Sequence, residues 1–147
     1  LKMRLKVENK GNNPAQLAAA FHTYFAIPEL KNVSITGLEG KTYLDKTAEM
    51  ARKIEAGTVR INGWTDRVHL DVNERQTLDL SARKLHIDSP AKCAIVWNPC
   101  EKAENMADVG KGNHAGFVCV ERGDVADYAV SLAPQETYET WMDIRLG

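Results

Sequence analysis

Short apolar runs of period two, set apart at close intervals by turn residues, restrict the folds open to this chain more than any other feature of it. Successive side chains of a strand point to opposite faces, so such alternation marks strands with one buried face. Runs of this kind cover residues 3–8, 16–25, 32–35, 59–62, 67–72, 77–80, 84–87, 94–97, 117–121 and 129–132. Between them lie 9–14, 37–40, Ser89-Pro90, Asn98-Pro99 and 110–116, all of turn-type chemistry. The pattern predicts an all-β, antiparallel sandwich and not a βαβ fold. Residues 101–109 put Ala103, Met106 and Ala107 on one side and stop at Gly110, which predicts a short helix there. Residues 46–56, with Met50 and Ile54 four apart, also have helical composition.

The 147 residues, 44% hydrophobic and 27% charged, suffice for one core, so the whole of 1–147 is read as a single domain. A net charge of −1 offers no general attraction to nucleic acid or to an anionic membrane. No apolar run approaches the ~20 residues of a membrane span, and the start is not signal-like, so a cytoplasmic location is expected. Cys93, Cys100 and Cys119 are odd in number and lack C-x-x-C spacing, while His69, His86 and His114 lack metal-type spacing. No metal and no cofactor is expected.

Two proton-handling side chains stand inside apolar runs. In the run 16–25, Ala18, Ala20, His22 and Tyr24 share one face, and Leu17, Ala19, Phe21 and Phe25 share the other. The bulky side belongs to the core, and the small alanines beside His22 leave room for a sugar-sized ligand. Glu121 closes the run Phe117-Val118-Cys119-Val120-Glu121. An imidazole of unperturbed pKa ~6.5 and a carboxylate suit acid and base work near neutrality. Taken alone, each has a plainer account: a hydrogen-bonded structural histidine and a solvated acid at a strand end.

The string Ala20-Phe21-His22-Thr23-Tyr24-Phe25, followed by Val33-Ser34-Ile35-Thr36-Gly37-Leu38-Glu39-Gly40-Lys41-Thr42-Tyr43-Leu44-Asp45, resembles the aldose 1-epimerase superfamily, in its glucose-6-phosphate 1-epimerase (hexose-6-phosphate mutarotase) branch. Thr65-Asp66-Arg67-Val68, then Val96-Trp97-Asn98-Pro99 with Lys102, Met106 and Asp108, then Phe117 to Glu121 agree in the same order. The resemblance implies a galactose mutarotase-like supersandwich whose concave face binds sugar, with extended or irregular chain over 46–56. It implies an isomerase that interconverts the α and β anomers of a hexose 6-phosphate by acid/base ring opening and closure. Glu121 matches the general base, His22 the general acid, and Asp66 an acceptor for sugar hydroxyls. Trp97 is a candidate to stack on a sugar face, with a buried strand-end aromatic as its plainer account, and Lys102 is read as a surface lysine with a weaker claim on phosphate.

The chain departs from this pattern in two places. Gly63-Trp64-Thr65 stands where the family has an acidic residue two places before Asp66. The N-terminal portion that brings glycine-rich turns and the phosphate-holding arginines has no counterpart before Leu5, so the chain is expected to be a C-terminal portion truncated on its N-terminal side. Without arginine partners a phosphate loses charge-assisted hydrogen bonds worth ~1.5 to 3 kcal/mol each, and affinity is expected to fall. Open sheet edges then invite self-association or a partner chain. Two alternatives stand beside the isomerase: a catalytically silent carbohydrate-binding or interaction module, and, ranked last, a glycoside hydrolase using Asp66 and Glu121.

Overall fold

The computed structural model describes residues 1–147, and antiparallel strands carry nearly half of the backbone, with only short 3₁₀ turns beside them. β1 (Lys2–Glu8) alternates strictly between exposed and half-buried residues. β2 (Ala15–Leu17), β3 (Ala19–Phe21), β4 (Tyr24–Ala26), β5 (Ser34–Thr36), β6 (Thr42–Asp45) and β7 (Ala51–Ile54) follow. β8 (Thr65–His69), β9 (Arg75–Asp79), β10 (Lys84–Asp88) and β11 (Cys93–Asn98) form the middle of the chain, and β12 (Phe117–Asp124), β13 (Val130–Leu132) and β14 (Thr137–Leu146) its end.

One sheet has the order β1-β14-β10-β9-β5; the other runs β3-β12-β11-β8-β6-β7, with β4 also on β12; β13 and β2 pair apart. The two larger sheets bury a shared interior. Ile35, Leu78, Ile87 and Met142 of the first meet Phe25, Ala94, Val96, Val118 and Val120 of the second. Alternation then forces Cys93, Ile95 and Trp97 of β11, and Phe117, Cys119 and Glu121 of β12, onto the other face of the second sheet. That outer face carries the site.

Arg122 points inward and is fully buried. Its guanidinium donates to the carbonyls of Glu74, Ser89, Ala91 and Cys93 and to Gln76 Oε1, so neutral acceptors, not a carboxylate, replace its water. Burial lowers its pKa to about 10, which still leaves it charged at neutral pH. The arginine thereby ties β12 to the loops flanking β9 and β10.

Several sequence expectations change in detail. The run 16–25 is not one strand: β2 pairs with β13, whereas β3 and β4 pair with β12. The change of partner falls at Ala18, and a second break falls at His22-Thr23, where the Thr23 hydroxyl donates to the Val120 carbonyl at 2.6 Å. Residues 59–62 form only a bridge from Val59 to Ile35. The helix expected over 101–109 is a 3₁₀ run, Cys100–Asn105, started by Asn98 Oδ1 accepting from Cys100 N at 2.8 Å. Residues 46–56 hold a single 3₁₀ turn, Lys46–Ala48, then left-handed Glu49 and Met50, and only then the extended β7. β6 and the ten-residue β14 lie in stretches left unassigned from sequence. No helix is long and apolar enough to cross a membrane.

Candidate active site

Strand register builds the site. Phe21 pairs with Arg122 and Tyr24 with Cys119, so the same register sets His22 opposite Glu121 across the broken ladder. His22 Nε2 lies 3.4 Å from Glu121 Oε1, with the imidazole half exposed and the carboxyl buried. The Tyr24 ring stacks on the imidazole at 4.8 Å and 10°, and Trp97 meets it edge-on at 5.9 Å. Two aromatic neighbours thus fix the plane of the ring while one edge faces the acid.

Further rows run across the same face. Cys119 pairs with Trp97, and Trp97 with Asp66; Glu121 pairs with Ile95, and Ile95 with Val68. Of these, Asp66, Val68, Ile95, Trp97 and Glu121 floor a cavity of about 410 Å³, a size suited to a small ligand, and Cys119 is fully buried beside them. His22, Asp66 and Glu121 all line it, with Ala20 leaving the room beside His22 that its small side chain predicts. Lys46, Met50, Val125 and Ala126 complete the walls.

Asp66 Oδ2 pairs with Lys46 Nζ at 3.1 Å, and Asp66 Oδ1 is buried without a hydrogen-bond partner. Burial raises the Glu121 pKa to about 7, the Asp66 charge adds to the rise, and Lys46 opposes it. A carboxyl with that value can both accept and return a proton near neutrality.

Trp97 is half-buried and faces the cavity, so the account of it as a wholly buried strand-end residue is corrected. Lys102 lies outside the cavity, its ammonium 5.3 Å over the Trp64 ring. His69 is fully buried on the opposite face of β8, where its Nε2 meets Glu55 Oε2 at 3.1 Å. Lys46, Met50, Val125 and Ala126 were not foreseen, because turns and not alternating runs present them. Cys119 was legible: it stands two residues before Glu121 in one strand and so shares its face.

His22, Cys119 and Glu121 bring three donor atoms within 4.8 Å of one another. Burial pushes the Cys119 thiol well above its ordinary pKa, with the Glu121 charge adding to this, so the sulfur keeps its proton beside the acid. We assign no metal to the trio.

A family model described as "Aldose 1-epimerase" matches residues 1–145. A protein of Cenchrus ciliaris named "Putative glucose-6-phosphate 1-epimerase" is 29% identical over 143 residues, covering 94% of this chain and 43% of that protein. An Escherichia coli K12 protein of the same name is 26% identical over 121 residues, covering 79% and 41%. Among solved structures, one titled a putative mutarotase from Salmonella typhimurium superposes with a TM-score of 0.80 at 20% identity, over 99% of this chain and 50% of that one. Slr1438 of Synechocystis sp. PCC 6803 gives 0.78 at 12% identity, with the same coverage. The chain therefore has the galactose mutarotase-like fold and spans about half the length of these relatives.

Proposed function

The chain belongs to the aldose 1-epimerase family, and from that premise we propose that it interconverts the α and β anomers of a hexose 6-phosphate, with Glu121 as base and His22 as acid. The observation that carries the reading is their 3.4 Å approach on the wall of a sugar-sized cavity. The family supports anomer interconversion of sugars; the phosphate is our reading of the relatives' names.

Mutarotation breaks and remakes one bond. Glu121 takes the proton of the anomeric hydroxyl while His22 gives a proton to the ring oxygen. The bond from C1 to the ring oxygen breaks and an aldehyde forms. Rotation about C1–C2 presents either face of the aldehyde, and closure reverses both transfers, returning the proton from Glu121 to O1 and that of the ring hydroxyl to His22. Both reacting oxygens sit on one carbon, so a base and an acid a few ångströms apart reach them together. Asp66, with one buried oxygen unpartnered, has an acceptor to offer a sugar hydroxyl. Trp97 offers an apolar face to the ring.

The partner we propose is a sugar phosphate, with no nucleic acid and no membrane involved. Three free thiols suit a cytosolic setting. Anomeric exchange of glucose 6-phosphate, followed by exchange NMR or polarimetry, tests the reading. A rate above the spontaneous one is expected, lost by ~10²-fold or more in Glu121→Gln and in His22→Gln. No such rate, with neither change having an effect, overturns it. Sugar binding that persists in Glu121→Gln, with no turnover in either form, would instead identify a silent carbohydrate-binding module.

A further inference from the structure

Lys46 reaches the cavity from outside the strands that carry His22 and Glu121. It opens the 3₁₀ turn Lys46–Ala48 that follows β6, and the turn is pinned. Asp45 Oδ1 accepts from the Thr47 amide at 3.0 Å and from its hydroxyl at 2.6 Å, and Lys53 Nζ donates to Asp45 Oδ2 at 2.7 Å. Glu49 and Met50 then take left-handed backbone at φ 52 and 63, conformations that residues other than glycine adopt at a cost. The result is that Lys46 and Met50 both stand on the cavity wall.

Lys46 is the one lysine or arginine lining the cavity, and its ammonium is 3.1 Å from Asp66 Oδ2. The cavity thus holds two carboxyls, Asp66 and Glu121, and a single ammonium. Two carboxylates sharing a site cannot both ionise freely, and a cation beside one decides which of them keeps the proton.

We propose that Lys46 is a positioning residue for the base: by pairing with Asp66 it offsets the repulsion between that carboxylate and Glu121, leaving Glu121 as the carboxyl that exchanges protons with substrate. This rests on the reading of Glu121 as base. The groups that face Glu121 are His22 from the β3–β4 link, Tyr24 from β4, Cys119 on its own strand, Asp66 from β8 and Lys46 from the turn. β11 and the 125–126 segment contribute Ile95, Trp97, Val125 and Ala126, none of them charged. Of the set only Lys46 brings an ammonium, and it lies on Asp66, so its removal leaves Asp66 unopposed. Burial and Asp66 raise Glu121 and Lys46 lowers it, which agrees in sign.

The test uses two readouts on Lys46→Met, Lys46→Arg and Asp66→Asn. One is the ¹³C titration of the Glu121 side-chain carboxyl in unliganded protein, assigned by its absence in Glu121→Gln. The other is the pH profile of kcat for anomeric exchange. Lys46→Met should move the Glu121 midpoint and the acid limb of kcat upward together by roughly half a unit or more, the size expected from losing one charge across a partly wet cavity. Asp66→Asn should move both downward, and Lys46→Arg should restore them. An unmoved midpoint in Lys46→Met, or a rise in KM with the limb in place, overturns the proposal in favour of a lysine that only grips substrate. The carboxyl titration needs no turnover. A wild-type chain without exchange activity but with the midpoint shifts therefore sinks the catalytic reading alone, and an active chain with unmoved midpoints sinks this one alone.

Discussion

Burial of Glu121 beside Asp66 raises its pKa from an ordinary 4.5 to about 7, so between those values the folded chain holds a proton that the unfolded chain has released. Folding stability therefore falls as pH rises through that window, and the full cost is felt above 7. Glu121→Gln, which is never charged, should stabilise the fold by on the order of 1 to 3 kcal/mol at pH 8 and by almost nothing below pH 4.5. Urea unfolding at the two pH values measures this. Equal stability of the two forms at pH 8 would show that water reaches the carboxyl more freely than its burial indicates. A residue that costs stability where it would be active is what an acid/base role requires.

At the scale of the strand, β12 carries much of the design. Val118 and Val120 face the core, Glu121 faces the cavity with Cys119 buried on the same side, and Arg122 and Gly123 control what packs beside them. A Cβ on Gly123 would stand 2.3 Å from the Ala19 carbonyl oxygen and 2.5 Å from Ala20 Cα, both backbone atoms of β3. Gly123→Ala must push β3 outward, and with it His22 one residue past that strand. We expect kcat for anomeric exchange to fall by an order of magnitude or more, since small misplacements of a catalytic group carry large penalties. A perturbed imidazole resonance for His22 should accompany that loss, and an unchanged kcat would mean β3 has slack. The faces of β12 were legible from alternation alone, as was the inward set of Phe21 and Phe25. Gly123 was not, because close approach of two backbones leaves no mark on either strand's own pattern. The ten residues of β14 were missed although Tyr138, Thr140, Met142 and Ile144 alternate within them. The break at His22-Thr23 was invisible, since Thr23 fits a strand and acts as a breaker only because the Val120 carbonyl lies within reach of its hydroxyl.

For the molecule as a whole, the site is a composite of β8, β12, the β3–β4 link and the 46–50 turn, all on the outer face of one sheet. Its sheets end on open strands, β1 in one and β3, β4 and β7 in the other, while β5 is bridged at Ile35 by Val59. We keep the proposal that such edges allow self-association. β1 and β7 carry Lys2, Arg4, Lys6, Arg52 and Lys53 on exposed positions, however; Lys2, Lys6, Arg52 and Lys53 pair with acids of neighbouring segments, yet on the two strands themselves five cations stand against Glu8 alone, and like charge opposes edge-to-edge pairing. Association should therefore be weak at low salt and grow as added salt screens these cations, which light scattering across a salt series would register. Association that weakens with salt would point to ionic pairing elsewhere on the surface.

What the sequence by itself determined is local: the period of two, the turn chemistry at Asn98-Pro99, and the faces on which His22 and Glu121 stand. Those follow from the geometry of successive side chains, which any extended segment obeys. Only the tertiary structure decided that β12 meets β3 and β4 in the register opposing His22 to Glu121, and that a pinned turn delivers Lys46 to Asp66. Both are contacts between segments distant in the chain, selected by how two sheets share one core, and a residue's immediate neighbours carry no information about that choice.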